Sequence, residues 1–235
     1  MPTCCRFFLH LLVWALALQA APAQDRGPVR RKEAIALAEE YARFRWTPSA
    51  ANVFHGLDRD GIRVDTPDIG FVNPGSHPGW WVPGRSNVGV PYMWGGFSSL
   101  SEFREGIANG RYAGDVYTRE KRRLLERAVS RQAVGIDCSG LISRCWGLER
   151  SYSTRELPGL CLSLASYEEL KPGDILNSDN NHVLLFEGWA DKAHKRLLAY
   201  EAGSPPTWKV LRDSISVPML KSFGYKAWRY KNIVD

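Results

Sequence analysis

Residues 134 to 148 read VGIDCSGLISRCWGL, and they set the fold expectation for the whole chain. Leu141, Ile142, Cys145 and Trp146 recur at helical spacing, so a helix is expected to follow Asp137 and to carry Cys138 in its first turn. Unpaired N–H groups and the positive end of the helix dipole favour a thiolate at that position. Asp137 suits the N-cap, Ser139 and Gly140 leave the approach uncrowded, and the Cys138 amide is placed to help hold an oxyanion. Cys145 lies two turns on, along the apolar stripe, where packing is the better explanation. Cys161 sits in less regular sequence, and a Cys145–Cys161 disulfide is left open.

A thiol nucleophile needs a base, and the base needs an orienting group. The stretch NHVLLFEGWADKAHKRLLAYEAG, residues 181 to 203, offers both. If its hairpin turns at Ala190 to Ala193, His182 lies directly opposite Glu201, with Cβ atoms roughly 4.5–5.5 Å apart. A slip of one residue would turn Glu201 to the other face. Asp179, Glu187 and Asp191 are the fallback acids. His10, His55, His77 and His194 lack a paired ligand motif, and without C-x-x-C or H-x-x-x-H spacing no zinc or other metal site is expected.

Outward from this centre, the last third reads as strands. GDILN, HVLLFEGW, RLLAYEA, TWKVLRDSISV and YKAWRYKNI are short, rich in β-branched and aromatic residues, and separated by turn-like clusters, so an antiparallel sheet is expected. Toward the N-terminus, RRKEAIALAEEYARFRW places Ala34, Leu37, Ala38, Tyr41 and Phe44 on one helical stripe that ends near Thr47-Pro48. Residues 65 to 91, rich in proline and glycine, suit an ordered connector. Its Trp80 and Trp81 are suited either to stacking on sugars or to covering the core. In TREKRRLLERAVSRQAV, Leu124, Leu125, Ala128 and Val129 form an apolar stripe beside six basic and two acidic residues, the pattern of a helix with a solvated face, or less readily of one beside an anionic ligand.

The 235 residues, 44% apolar and 24% charged, suit one globular domain with an extension and exclude a fibrous or disordered chain. A formal charge of +6 favours acidic polymers, anionic membranes or nucleic acid without choosing among them. The first 23 residues read as a secretory signal: Arg6, an apolar run from Phe7 to Leu18, and a small-residue site at Ala21-Pro22-Ala23. The run is short for a bilayer span, so no stable membrane insertion is expected once the signal is cleaved. Cys4 and Cys5 leave with it, and the odd number of cysteines that remains leaves at least one thiol unpaired within the chain.

PYMWGG, GIDCSGLISRCWGL, LKPGDIL and NHVLLFEGW followed by LLAYEAG, in that order over residues 89 to 203, resemble the NlpC-type cysteine peptidases of bacterial cell walls. The resemblance implies an α+β, papain-like fold in which a helix bearing the nucleophile packs on an antiparallel sheet. It implies Cys138 as nucleophile, His182 as base and Glu201 in the polar third position, with Tyr92, Asp137 and Ser139 around the substrate or oxyanion. A peptidoglycan or other peptide substrate is implied, cleaved at an amide bond through an acyl-enzyme, with no cofactor, no metal and no nucleic-acid partner. The mature protein would act in the cell envelope, secreted or periplasmic.

Two departures stand out. Glu201 occupies a position that is often histidine in the family, and residues 97 to 136 form an insertion where the family has a far shorter connection. The expected organisation is a signal at 1–23, an N-terminal extension at 24–88 and a peptidase domain at 89–235. Two rival functions share the scaffold: a papain-like amidase or acyltransferase on another substrate, and a noncatalytic module that binds the wall.

Overall fold

A computed structural model describes residues 27–72, 78–203 and 207–235. The expected signal, with Cys4, Cys5 and His10, lies outside the described residues, as does His77. The chain is α+β. Its centre is a six-stranded sheet of β1 (Cys161–Ser163), β2 (Ile175–Ser178), β3 (His182–Trp189), β4 (Arg196–Ala202), β5 (Val210–Ser216) and β6 (Lys226–Tyr230). The spatial order is β5-β4-β3-β2-β6-β1, with every neighbouring pair antiparallel. The five expected strands are present, and β1, the edge strand carrying Cys161, is an addition that its sequence did not announce.

Side chains alternate across the sheet and build two cores. Val183 and Leu185 of β3, with Tyr200 and Ala202 of β4, join the larger cluster beneath α4 (Cys138–Cys145), to which Leu141, Ile142, Cys145 and Trp146 contribute. Leu184, Phe186, Leu197 and Ala199 face the other way and pack with Val217 and Leu220 of α5 (Val217–Ser222). A strand buried on both faces has no polar alternation to read, which is why β3 appears in sequence as a nearly continuous apolar run.

The β3–β4 hairpin departs from the expected register. Trp189 pairs with Leu197, because the turn is held open by the Asp191 carboxylate, which accepts from the N–H groups of Ala193 (2.9 Å), Lys195 (3.2 Å) and Arg196 (2.7 Å). Relative to a turn at Ala190 to Ala193 this is a shift of three residues, an odd number that would put Glu201 on the wrong face. A bulge at Glu187 gives one residue back, so that Phe186 pairs with Ala199 and Leu185 with Tyr200. The net shift of two restores the face.

The N-terminal segment is part of the same core. In α1 (Arg31–Arg43), Ala34, Ala38 and Tyr41 are buried, and the Tyr41 hydroxyl donates to the Ser98 carbonyl at 2.7 Å. The helix stops at Arg43, earlier than expected, because Arg45 and Trp46 are drawn into an antiparallel pair with Val88 and Asn87. Trp81 is fully buried, while Trp80 donates to the Trp208 carbonyl at 2.9 Å beneath the Lys209 ammonium. These tryptophans cover the core.

The segment at 97–136, expected to be an insertion, is helical in part. It contains α2 (Leu100–Ala108), capped by Ser99 with Glu102 reaching back, and α3 (Arg119–Leu124). The helix expected to run on past Leu124 ends there. Leu125 takes φ 53°, a value rarely adopted by a branched side chain, and a short 3-10 turn over Leu125–Ala128 follows. Nor is the basic face wholly solvated: Lys121 is buried and ion-paired with the buried Asp115 carboxylate. The aspartate of the P-G-D element also proves structural, since Asp174 is fully buried between the guanidinium groups of Arg31 (2.9 Å) and Arg229 (2.6 Å). Among the described residues no helix is long and apolar enough to cross a membrane.

Candidate active site

The helix expected after Asp137 is present as α4, with Asp137 at its N-cap. The Asp137 carboxylate accepts from the Gly140 N–H at 2.6 Å and from the Ser139 hydroxyl at 3.0 Å. Burial pushes this carboxyl up, and those hydrogen bonds oppose the shift. Ser139 lines the cleft with its hydroxyl turned toward the capping Asp137 carboxylate. Gly140 is required by packing: a Cβ there would lie 2.1 Å from the Gly96 carbonyl oxygen, so only glycine lets α4 seat against the PYMWGG segment.

Cys138, 8% exposed, lines a cleft of about 500 Å³ together with His182. His182 is the first residue of β3, and continuing the Leu185–Tyr200 register places Glu201 two residues away from direct opposition, on the same face. Their side chains nevertheless meet, with His182 Nε2 2.6 Å from Glu201 Oε2. That contact leaves Nδ1 as the nitrogen free for a second partner.

Burial alone would push the His182 imidazole down, but the Cys138 sulfur beside it, and then the Glu201 carboxylate, raise it to about 10. The ring is thus flanked by two groups that favour its protonated form. Of the fallback acids, Glu187 is paired with Arg212 at 2.6 Å and Asp191 caps the hairpin turn, while Asp179 lies in the turn before His182.

Tyr92 and Trp94 also line the cleft, together with Arg122, Leu125, Glu126 and Val129 of the 97–136 segment and Arg150, Ser153, Arg155 and Glu156 of the loop after α4. Tyr92 is buried, and burial first, then the Asp137 and Cys138 charges, raise its phenol well above the ordinary value, so it remains a protonated donor. The Cys145 thiol is likewise pushed up by burial, and that of Cys161 to about 12. All three described cysteines are free thiols, without a Cys145–Cys161 bridge. No group of three or more metal-ligating side chains is gathered among the described residues.

No family model, curated protein or solved structure matches this chain. The functional reading therefore rests on the residues and their geometry. Cys138, His182, Tyr92 and Asp137 converge on one cleft, and Glu201 backs the histidine. Sequence reading allowed the basic face of residues 119–131 to lie beside an anionic ligand but singled out no residue of it for the cleft. Arg155 carried no signal at all, and Arg122 and Glu126 were concealed in what read as a charged helix face.

Proposed function

We propose that this chain is an exported cysteine hydrolase with a papain-like fold of the NlpC type, cleaving amide bonds in peptidoglycan stem peptides. The observation that carries the proposal is a single imidazole, His182, held by Glu201 at 2.6 Å and raised in basicity by the sulfur of Cys138, in a cleft that can admit a peptide. A buried cysteine packed only for volume needs no such partner.

In this reading the Cys138 thiolate attacks the amide carbon, and the carbonyl oxygen takes the negative charge. The Cys138 N–H at the start of α4 and the Tyr92 hydroxyl are the candidate donors to that oxygen. The His182 imidazolium then gives its proton to the departing amine, leaving a thioester on Cys138. Neutral His182 next takes a proton from water, the hydroxide displaces the sulfur as thiolate, and the carboxylic acid product leaves and gives its proton to solvent. Glu201 keeps the ring oriented and stabilises its charged form in both halves.

Purified protein incubated with peptidoglycan, beside a Cys138→Ala variant, should release new peptide ends only from the unaltered protein. Equal product from both would remove Cys138 from the reaction. Export is tested separately, by sequencing the N-terminus of the protein recovered from the envelope or medium, which should begin at Gln24.

One feature favours a second reading. Arg122, Leu125, Glu126 and Val129 of the 97–136 segment line the cleft, which would suit a papain-like amidase or acyltransferase on another acyl substrate. Mass spectrometry of the products, which reports whether water or another nucleophile accepts the acyl group, separates the two.

A further inference from the structure

The 97–136 segment carries two opposite charges that do not meet. Arg122 and Glu126 both line the cleft that holds Cys138, and neither has an ion-pair or hydrogen-bond partner for its side chain among the described residues. Their spacing makes this notable. On an unbroken helix, residues four apart lie on one face and an arginine and a glutamate there would pair.

The break falls between them. α3 ends at Leu124, Leu125 adopts φ 53° and ψ −126°, and the chain resumes as a 3-10 turn. The Trp94 indole N–H donates to the Leu125 carbonyl at 3.2 Å and helps fix the unusual backbone from the cleft floor. On the other side, the buried Lys121–Asp115 ion pair anchors α3, which sets the position of the adjacent, half-buried Arg122. Backbone strain of this kind persists only where the surroundings enforce it.

The remaining charges of the cleft are already engaged. Arg150 pairs with Glu156 at 2.8 Å, Arg155 donates to the Asn180 side-chain oxygen at 2.7 Å, and Asp137 caps α4. Arg122 and Glu126 are thus the cleft charges with no side-chain partner among the described residues, while Arg155 is held by a neutral amide. Arg122 is partly buried and Glu126 exposed, so both charged heads are accessible to form charge-assisted hydrogen bonds with a ligand.

We infer that Arg122 and Glu126 form a two-point specificity site for a zwitterionic substrate group, with Arg122 taking a carboxylate and Glu126 an ammonium. The inference rests on the proposed hydrolase reading in placing this group beside the reacting sulfur, and it narrows the substrate class to peptides or amides that carry both charges. Both residues are specificity residues and neither enters the chemical steps.

The test measures binding without turnover. The full chain carrying Cys138→Ala is titrated calorimetrically with N-acetyl-alanyl-lysine, in L,L and L,D forms, and with two derivatives, the C-terminal amide and the Nε-acetyl form. The better-bound parent stereoisomer should bind about tenfold more tightly than either of its derivatives, the size expected for one lost charge-assisted hydrogen bond. Adding Arg122→Gln should erase the discrimination against the amide and leave that against the Nε-acetyl form, and adding Glu126→Gln should do the reverse. Equal binding of parent and derivatives, absence of saturable binding, or discrimination that survives both substitutions would overturn the inference. Failure of the hydrolase reading would show instead as equal peptidoglycan turnover with and without Cys138, a result on which this titration does not depend.

Discussion

His182 and Glu201 touch at 2.6 Å as a diagonal pair, two residues out of direct opposition across β3 and β4. Their shared face depends on two irregularities that compensate, the long Asp191-capped turn and the bulge at Glu187. Neither irregularity alone would leave the carboxylate beside the imidazole.

Glu201→Gln keeps a hydrogen-bonding oxygen and removes the charge. It should lower kcat/KM by about 10- to 100-fold, corresponding to about 1.4–2.7 kcal/mol of transition-state stabilisation. The His182 value, now raised to about 10, should fall. A histidine raised above its ordinary 6.5 contributes stability that is fully present below that value and is lost as pH rises through about 10. Thermal unfolding scans from pH 6 to 10.5 should therefore show a decline that is shallower in the variant, and identical profiles would discount the coupling.

Of the three described thiols, Cys138 alone should react with iodoacetamide at pH 7. Burial pushes Cys145 up and Cys161 up to about 12, which leaves both protonated and inert. Intact mass should rise by one adduct that maps to Cys138, and hydrolysis should stop in step with labelling. Labelling of Cys145 or Cys161 at a comparable rate would contradict the assignment.

Gly140→Ala pits two effects against each other. Alanine gains about 1 kcal/mol in helix propensity, whereas its Cβ would collide with the Gly96 carbonyl at 2.1 Å, and overpacking against backbone costs about 3 kcal/mol. The collision wins. A net loss of about 2 kcal/mol should lower Tm by about 4–8 °C for a chain of this size, and an unchanged or higher Tm would refute the close approach of α4 to that segment.

Lys121→Met leaves the Asp115 carboxylate buried and unpaired, at a cost of about 3–5 kcal/mol, while the double variant Asp115→Asn/Lys121→Met should recover most of it. Burial already holds Asp115 up at about 7 despite the ammonium beside it. An acid raised above its ordinary 3.8 contributes stability that is fully present below that value and lost as pH rises through about 7. Removing the lysine raises Asp115 further, so the single variant should lose less at pH 5 than at pH 9. Denaturant unfolding at the two pH values reads this directly, and an equal loss at both would mean that Asp115 does not protonate.

Much of the architecture is local in origin and could be read along the chain. The α4 stripe of Leu141, Ile142, Cys145 and Trp146, the Asp137 cap and the β-branched and aromatic runs that became β2 to β6 express propensities spanning a few residues. The failures share one cause. Leu125 departs from its helix, Lys121 turns inward to Asp115, and β1 forms at Cys161 because distant partners stabilise conformations that their own sequence does not favour.

The sequence by itself determined which chemical groups are present and how each is presented: a thiol in the first turn of a capped helix, and an imidazole at the start of a strand. Only the tertiary structure decided that they share a cleft, that Glu201 reaches His182, and that Arg122 and Glu126 line that cleft without meeting. Helical and strand periodicity fix the direction of a side chain relative to its own element. Distances between elements follow from turn length, bulge and core packing, summed over many residues, where one inserted residue reverses the outcome.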